Sequence, residues 1–304
     1  MELWILITFA SAFLQNMRSG LQKYLKGRMA TLGATFTRFG FGLPFAALYL
    51  AILVFGLGRE IPSPNEAFAI WALIGAFSQI GATFLLVYLF SFRNFAVGTA
   101  YSRTEPAQAA IIAFLFFGAQ ISFVAIVAIV ISVSGVMMIS LSRNAAGVRP
   151  FLGGLASRTA AIGIGSGALF ALSAVAYRAA SLSLAGSLDR PDSVMQAAFT
   201  LLVVITVQTV SMGVWMLIFN RDELRKVFKA WKPALAVGFV GATASFGWFT
   251  AMTLQQAALV KAVAQVEMLF SLATSAVIFR ERITKLELAG CSLIVIGVLV
   301  LLVS

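Results

Sequence analysis

Glu105 and Glu267 are carboxylates set deep in otherwise apolar sequence, and five cations share that setting: Arg18, Arg38, Arg103, Arg178 and Lys261. On insertion scales a charge at the centre of a membrane helix costs roughly 2.5–3.5 kcal/mol, so such side chains mark solute or ion paths. The chemistry open to them is charge recognition and proton exchange. A glutamate binds an amino group or a proton, and an arginine binds a carboxylate. Catalysis has little to build on: the chain has no histidine, and its aspartates lie outside the apolar stretches. Its serines have no convincing base partner in the sequence, and no phosphate-cradling P-loop pattern appears. The expectation is a protein that is not an enzyme and that carries no metal or cofactor.

The neighbours of the two acids extend the candidate site. At about 100° per residue, Tyr101, Glu105 and Gln108 share one helix face, whereas Arg103 stands about 200° from Glu105 and cannot pair with it along the same helix. Pro106 has no N–H, which predicts a kink that frees the Ser102 carbonyl beside the carboxylate. The competing reading of Glu105 is a structural bridge to an arginine of another span. Glu267 shares a face with Ser271 and Thr274, while Lys261 and Gln265 occupy a neighbouring one. Lys261 comes early in its span, so it either serves the site or reaches back to the interface as an anchor.

Further along, Ser11, Gln15, Arg18 and Gln22 form a polar stripe, with Asn16 one position off, and Ser166, Ser173 and Tyr177 form another with Arg178 alongside. Arg18 and Arg178 come late in their spans and read as gate residues or as anchors, and Arg38 reads as structural. Trp248 is the cavity aromatic that stands out among 27 phenylalanines. The candidate substrate- or ion-binding set is therefore Gln15, Asn16, Arg18, Tyr101, Glu105, Gln108, Tyr177, Arg178, Trp248, Lys261, Gln265 and Glu267.

These residues need a membrane scaffold. Of 304 residues 61% are hydrophobic and 11% charged, and the mean hydropathy is +0.97; soluble chains carry about a quarter charged residues. Apolar segments long enough to cross a bilayer fall near 3–24, 32–56, 67–90, 95–117, 121–142, 160–184, 195–219, 233–255, 258–279 and 286–303. The expected fold is an all-α integral membrane protein of ten transmembrane helices, with connections too short for a soluble domain. The opening MELWILITF has no basic stretch, which argues against a cleaved signal. The single cysteine, Cys291, excludes an intrachain disulfide.

A net charge of +11 raises the question of nucleic acid, but its distribution answers otherwise. The odd-numbered connections hold fifteen Lys and Arg, and the even ones hold only Arg59 and Arg190. By the positive-inside rule the odd connections are cytoplasmic and both termini extracytoplasmic, in the inner membrane of a cell. Within the seventh connection, RDELRKVFKAWK (221–232) reads as a surface segment, with Phe228 and Trp231 as interfacial anchors.

A shift of 162 positions places Glu105 on Glu267, Ala96 on Ala258, Ala100 on Ala262, Phe117 on Phe279, Ile121 on Ile283, Ser122 on Thr284 and Gly135 on Gly297; a shift of 160 places Arg18 on Arg178. Two five-helix repeats follow, 1–148 and 149–304. An odd number of spans per repeat makes the second copy enter from the opposite side, giving inverted repeats of the kind that support alternating access around a central cavity. The ten spans, the duplication, and the passage at Phe279, Glu281, Thr284, Gly290 and Gly297 resemble the EamA-type branch of the drug/metabolite transporter superfamily. Phe117, Gln120, Ser122 and Gly135 look like a decayed first copy of that passage. The resemblance implies a monomer that moves small metabolites, commonly amino acids, outward on gradients, through a cavity lined by spans 1, 3, 4, 6, 8 and 9. Members are drawn with both termini cytoplasmic, whereas the charge count here argues the reverse.

The expected activity is secondary export of small polar metabolites, amino acids or related zwitterions, with protons as a possible coupling ion and the bilayer as the other partner. Two alternatives stand beside it: export of lipophilic cations, and a scaffold or receptor that transports nothing.

Overall fold

The computed structural model describes residues 2–26, 28–89, 101–142, 158–278 and 284–303. Ala96, Ala100, Phe279, Glu281 and Ile283 of the repeat match lie outside the described residues, as do the side chains of Ser271 and Thr274. Arg93, Arg143, Arg149, Arg280 and Arg282 of the charge count lie outside them too.

All regular structure among the described residues is helical. The helices are α1 (Leu3–Lys26), α2 (Thr31–Gly40), α3 (Leu43–Ala51), α4 (Glu66–Leu89), α5 (Glu105–Phe117), α6 (Phe123–Ser142), α7 (Arg158–Ser183), α8 (Ser193–Phe219), α9 (Arg221–Lys229), α10 (Trp231–Leu254), α11 (Ala257–Val263), α12 (Glu267–Ile278) and α13 (Lys285–Val303). Segments 31–56, 66–86, 158–187, 193–219 and 231–254 are long and apolar enough to span a bilayer, and α5 and α6 are shorter apolar helices. The polar stripe lowers the hydropathy of α1 and leaves it outside that set, although its 24 residues reach about 36 Å. Large side chains such as Phe55, Leu115 and Phe123 lie exposed, an outer surface suited to lipid and not to water.

Three expected continuous spans are broken. The second divides into α2 and α3 at Phe41–Gly42, with Pro44 in the first turn of α3, where its missing N–H has no helical partner to lose. The fourth turns at Arg103–Thr104, before α5. The ninth tightens into a 3₁₀ turn, Ala264–Val266, between α11 and α12. Segment 221–229, expected as a surface stretch, is helix α9.

The chain forms two compact units, Met1–Ile80 with Ala176–Gln256, and Gly81–Val175 with Ala257–Ser304; the boundaries fall inside α4 and α7. Each unit therefore draws on both halves of the sequence.

In the first unit, α10 packs against α1, α2, α3 and α8. Close approach there depends on glycine: a Cβ on Gly238 would run into the backbone of Phe41, and one on Gly247 into Ser11 Oγ. Helix α8 starts cleanly because Asp192 accepts from the N–H groups of Val194 (3.1 Å) and Met195 (3.0 Å) and pairs with Arg59 at 2.7 Å.

In the second unit, α6 and α13 pair along small residues. A Cβ on Gly135 would lie 2.6 Å from the Gly290 carbonyl, one on Gly290 would lie 2.6 Å from the Gly135 carbonyl, and one on Gly297 would lie 2.8 Å from the Ala128 carbonyl. The repeat shows in the starts of these two helices. Ser122 Oγ accepts from the Ala125 N–H at 3.1 Å, and 162 residues later Thr284 Oγ1 accepts from the Glu287 N–H at 3.2 Å. Glu287 returns the contact to the Thr284 N–H at 2.8 Å, completing a capping box.

Candidate functional site

Within the second unit the two repeat-related glutamates occupy the same structural position: each is the first residue of a helix that follows a break. Negative charge suits a helix N-terminus, where unpaired N–H groups collect. Pro106 is accordingly a first-turn residue of α5, and the expected kink inside a continuous helix is replaced by a helix start.

The acids are held by exchanged cations. Lys261 Nζ from α11 lies 2.8 Å from Glu105 Oε1, and Arg103 Nη1, just before α5, lies 3.3 Å from Glu267 Oε2. Each repeat's carboxylate is thus paired with a cation of the other repeat. The Lys261 contact is ionic and not an aligned hydrogen bond. Both its side chains are 17% exposed, so Lys261 turns inward to the acid and does not serve as an interfacial anchor. Glu267 is more enclosed, at 9% of its side chain, and Arg103 less so, at 33%. The arginine expected to bridge to Glu105 from another span is replaced by Lys261: the only cation paired with Glu105 among the described residues is that lysine.

Two amides reach the turn that carries Arg103. Gln265 Nε2 reaches the Arg103 carbonyl at 3.4 Å, and Gln108 Nε2 donates to Thr104 Oγ1 at 2.9 Å. Among the described residues the side-chain carbonyls of Gln108 and Gln265 are buried without a donor, two acceptors beside two ion pairs. Gly167 makes room for Gln108, since a Cβ there would lie 2.9 Å from the Ser102 carbonyl and 3.0 Å from Gln108 Oε1. Tyr101 is buried against Ala160. Ser166 and Ser173 donate to the carbonyls of Ala82 (2.9 Å) and Phe170 (2.8 Å).

The first unit has a polar interior of its own, richer in cations. Arg18 and Arg38 are both 8% exposed and flank Gly241: a Cβ there would lie 3.2 Å from Arg18 Cδ and 3.5 Å from Arg38 Cγ. The Arg38 guanidinium lies 3.5 Å from Ser245 Oγ, a long contact for a buried charge. The remaining stripe of α1 contacts its neighbours as amphipathicity requires. Trp248 Nε1 donates to Gln15 Oε1 at 3.1 Å, Gln22 Nε2 donates to the Ala34 carbonyl at 3.1 Å, and Asn16 is half-buried beside them. Tyr177 stacks on Phe249 at 4.4 Å, and its hydroxyl lies 2.9 Å from the Gly75 carbonyl. Gln208 Nε2 donates to Gln79 Oε1 at 2.8 Å and to the Tyr177 hydroxyl at 3.2 Å. Arg178 donates to the carbonyls of Met252 (2.6 Å), Thr253 and Gln255, which makes it the cationic cap of the α10 C-terminus.

Sequence reading singled out the acids, Lys261 and the α1 stripe as candidates. It missed the enclosure of Arg38 beside Arg18, and it missed Gln79 and Gln208, although an amide deep in an apolar stretch is a visible signal of the same kind as a charge.

Comparison with known proteins comes to the same scaffold. The family model described as EamA-like transporter family matches residues 2–141 and 161–303. No curated protein matches the chain. Of 28 solved chains that match, one crystal structure superposes with a TM-score of 0.70 at 15% identity, covering 98% of this chain and 94% of that one. At that identity the likeness shows the fold.

Proposed function

We propose that this chain, which belongs to the EamA-like transporter family, is a secondary-active exporter of small zwitterionic metabolites, amino acids above all, working by alternating access. Membership makes it a multi-pass membrane transporter with a small-molecule substrate and a two-repeat architecture. The substrate class is our reading, and one observation carries it: the exchanged pairs Lys261–Glu105 and Arg103–Glu267 sum to zero charge.

A zwitterion presents both signs. Its carboxylate can take the place of a glutamate at Lys261 or Arg103 while its ammonium takes the place of a cation at Glu105 or Glu267. Every charge then stays partnered as solute enters and leaves. A solute of net charge leaves one protein charge unmatched, which in a poorly hydrated site costs several kcal/mol. The donorless oxygens of Gln108 and Gln265 supply acceptors for an ammonium. A lipophilic cation would have to pull each acid away from a cation it already holds, so that reading is the weaker one. Arg18 and Arg38 are a second candidate contact for a carboxylate.

The repeats are read as 1–148 and 149–304, inverted about an axis in the membrane plane. The two matched stretches and the shared placement of Glu105 and Glu267 support that division. The charge count supports extracytoplasmic termini in a cell membrane, and a monomer is the working assembly.

Proteoliposome flux tests the proposal. Counterflow of amino acids, set against quaternary amines, should favour the amino acids. Glu105→Gln should abolish proton-driven transport while the protein stays folded. Full gradient-driven flux in that variant, or transport of the amines alone, contradicts it.

A further inference from the structure

Helix α9 is docked by one face. Glu223 is buried, with its carboxylate accepting the Ala30 N–H at the start of α2, and Val227, one turn on, is fully buried. Gly33 of α2 makes room for both: a Cβ there would lie 2.7 Å from Glu223 Oε1 and 3.1 Å from Val227 Cγ2. With those two side chains inward, a rotation of about 100° per residue sends Leu224, Phe228, Arg221, Arg225 and Lys229 to the opposite arc. These five, with Leu217 from the end of α8, line an open groove of about 690 Å³.

The groove joins two chemistries. Arg221, Arg225 and Lys229 recur once per turn along one edge, and the acid beside them is Asp222, which holds Arg225 at 3.1 Å in a solvent-exposed pair. The balance of that edge is +2, three cations less one carboxylate. Beside it runs an apolar surface open to the outside, with Leu217 52%, Phe228 58%, Ile218 61% and Phe219 62% exposed. A free anion would use the first half of this surface and leave the apolar half bare. An amphiphile with an anionic head uses both.

We propose that α9 and the end of α8 form a binding site for an anionic phospholipid, with its phosphate on Arg221, Arg225 and Lys229 and its acyl chains along Leu217, Phe219 and Phe228. Basic segments beside membrane helices attract such lipids through roughly additive contributions per cation. The site is independent of what the protein transports.

The test uses full-length protein in neutral detergent, titrated with phosphatidylglycerol, with phosphatidylcholine of the same chains, and with glycerol phosphate. Lipid retained in native mass spectra and the shift in Tm are read. Phosphatidylglycerol is expected to be retained and to raise Tm, and the other two are not. The triple variant Arg221→Gln/Arg225→Gln/Lys229→Gln should bind phosphatidylglycerol roughly tenfold more weakly or worse. Arg221→Lys/Arg225→Lys, which keeps the charge, should stay within about threefold of wild type. Equal retention of the two lipids, an equal shift from glycerol phosphate, or undiminished binding in the triple variant overturns the proposal. If the triple variant folds poorly, the wild-type comparison of the two lipids and the Lys-for-Arg variant decide by themselves.

Discussion

Removing the ammonium of Lys261 leaves the Glu105 carboxylate in a membrane-spanning setting without its cation, and that asymmetry makes the ion pair testable. Breaking a buried pair from one side costs about 3–5 kcal/mol, and the 17% exposure of both partners places this one at the low end. Lys261→Met should therefore lower thermal stability by about 3 kcal/mol, whereas Lys261→Met/Glu105→Gln should recover most of the loss yet remain inactive in transport. Thermal unfolding of the single and double variants checks this, and strictly additive losses would mean the two side chains are not coupled. At this scale the sequence was informative about which charges sit in apolar surroundings and silent about whom they hold. A charge inside an apolar run is conspicuous in one dimension. The exchange that gives Glu105 to Lys261 and Glu267 to Arg103 depends on how α5 and α11 pack, which no helical period encodes. Arg178 was conspicuous for the same reason, but its three carbonyl contacts at the end of α10 give it a capping duty.

Helix breaks and glycine contacts belong to the next scale. Because Pro106 sits in the first turn of α5, it costs the helix no hydrogen bond, and Pro106→Ala should change stability by less than about 1 kcal/mol. A proline kink inside a continuous helix would instead straighten on replacement, with a larger effect on unfolding. Gly290 is the opposite case. Its missing Cβ lets α13 meet the backbone of α6, so Gly290→Leu should destabilise by roughly 1–3 kcal/mol or more, measured as a drop in Tm in detergent. Hydropathy made the spans legible, since length and apolarity are properties of a window of sequence. The 3₁₀ turn at Ala264–Val266 and the turn before Glu105 were not legible, because a tightened turn shifts hydrogen bonds by one residue without changing composition.

For the molecule as a whole, the duplicated chain folds into two units that each mix residues from both halves, so the repeat in sequence is not the unit of packing. The repeat was nevertheless readable from residues rare enough to be noticed: Glu105 with Glu267, and Ser122 with Thr284 at equivalent helix starts. Orientation rests on the fifteen basic residues of the odd connections against two in the even ones. A reporter active only outside the cytoplasm, fused after residue 304, should be active; activity of a cytoplasmic reporter there would reverse the assignment. The central claim, that a charge-balanced quartet exchanges its partners with a zwitterion, is tested most directly by the thermal shift of purified protein against a charge-blocked series. The series sets an amino acid beside its methyl ester, its N-acetyl form and a quaternary amine. Free amino acid near a hundredfold its Kd should stabilise by about 2.7 kcal/mol, with neither blocked form matching it and the effect lost in Glu105→Gln and Glu267→Gln. Equal stabilisation by the blocked forms, or stabilisation by the quaternary amine alone, would contradict the account.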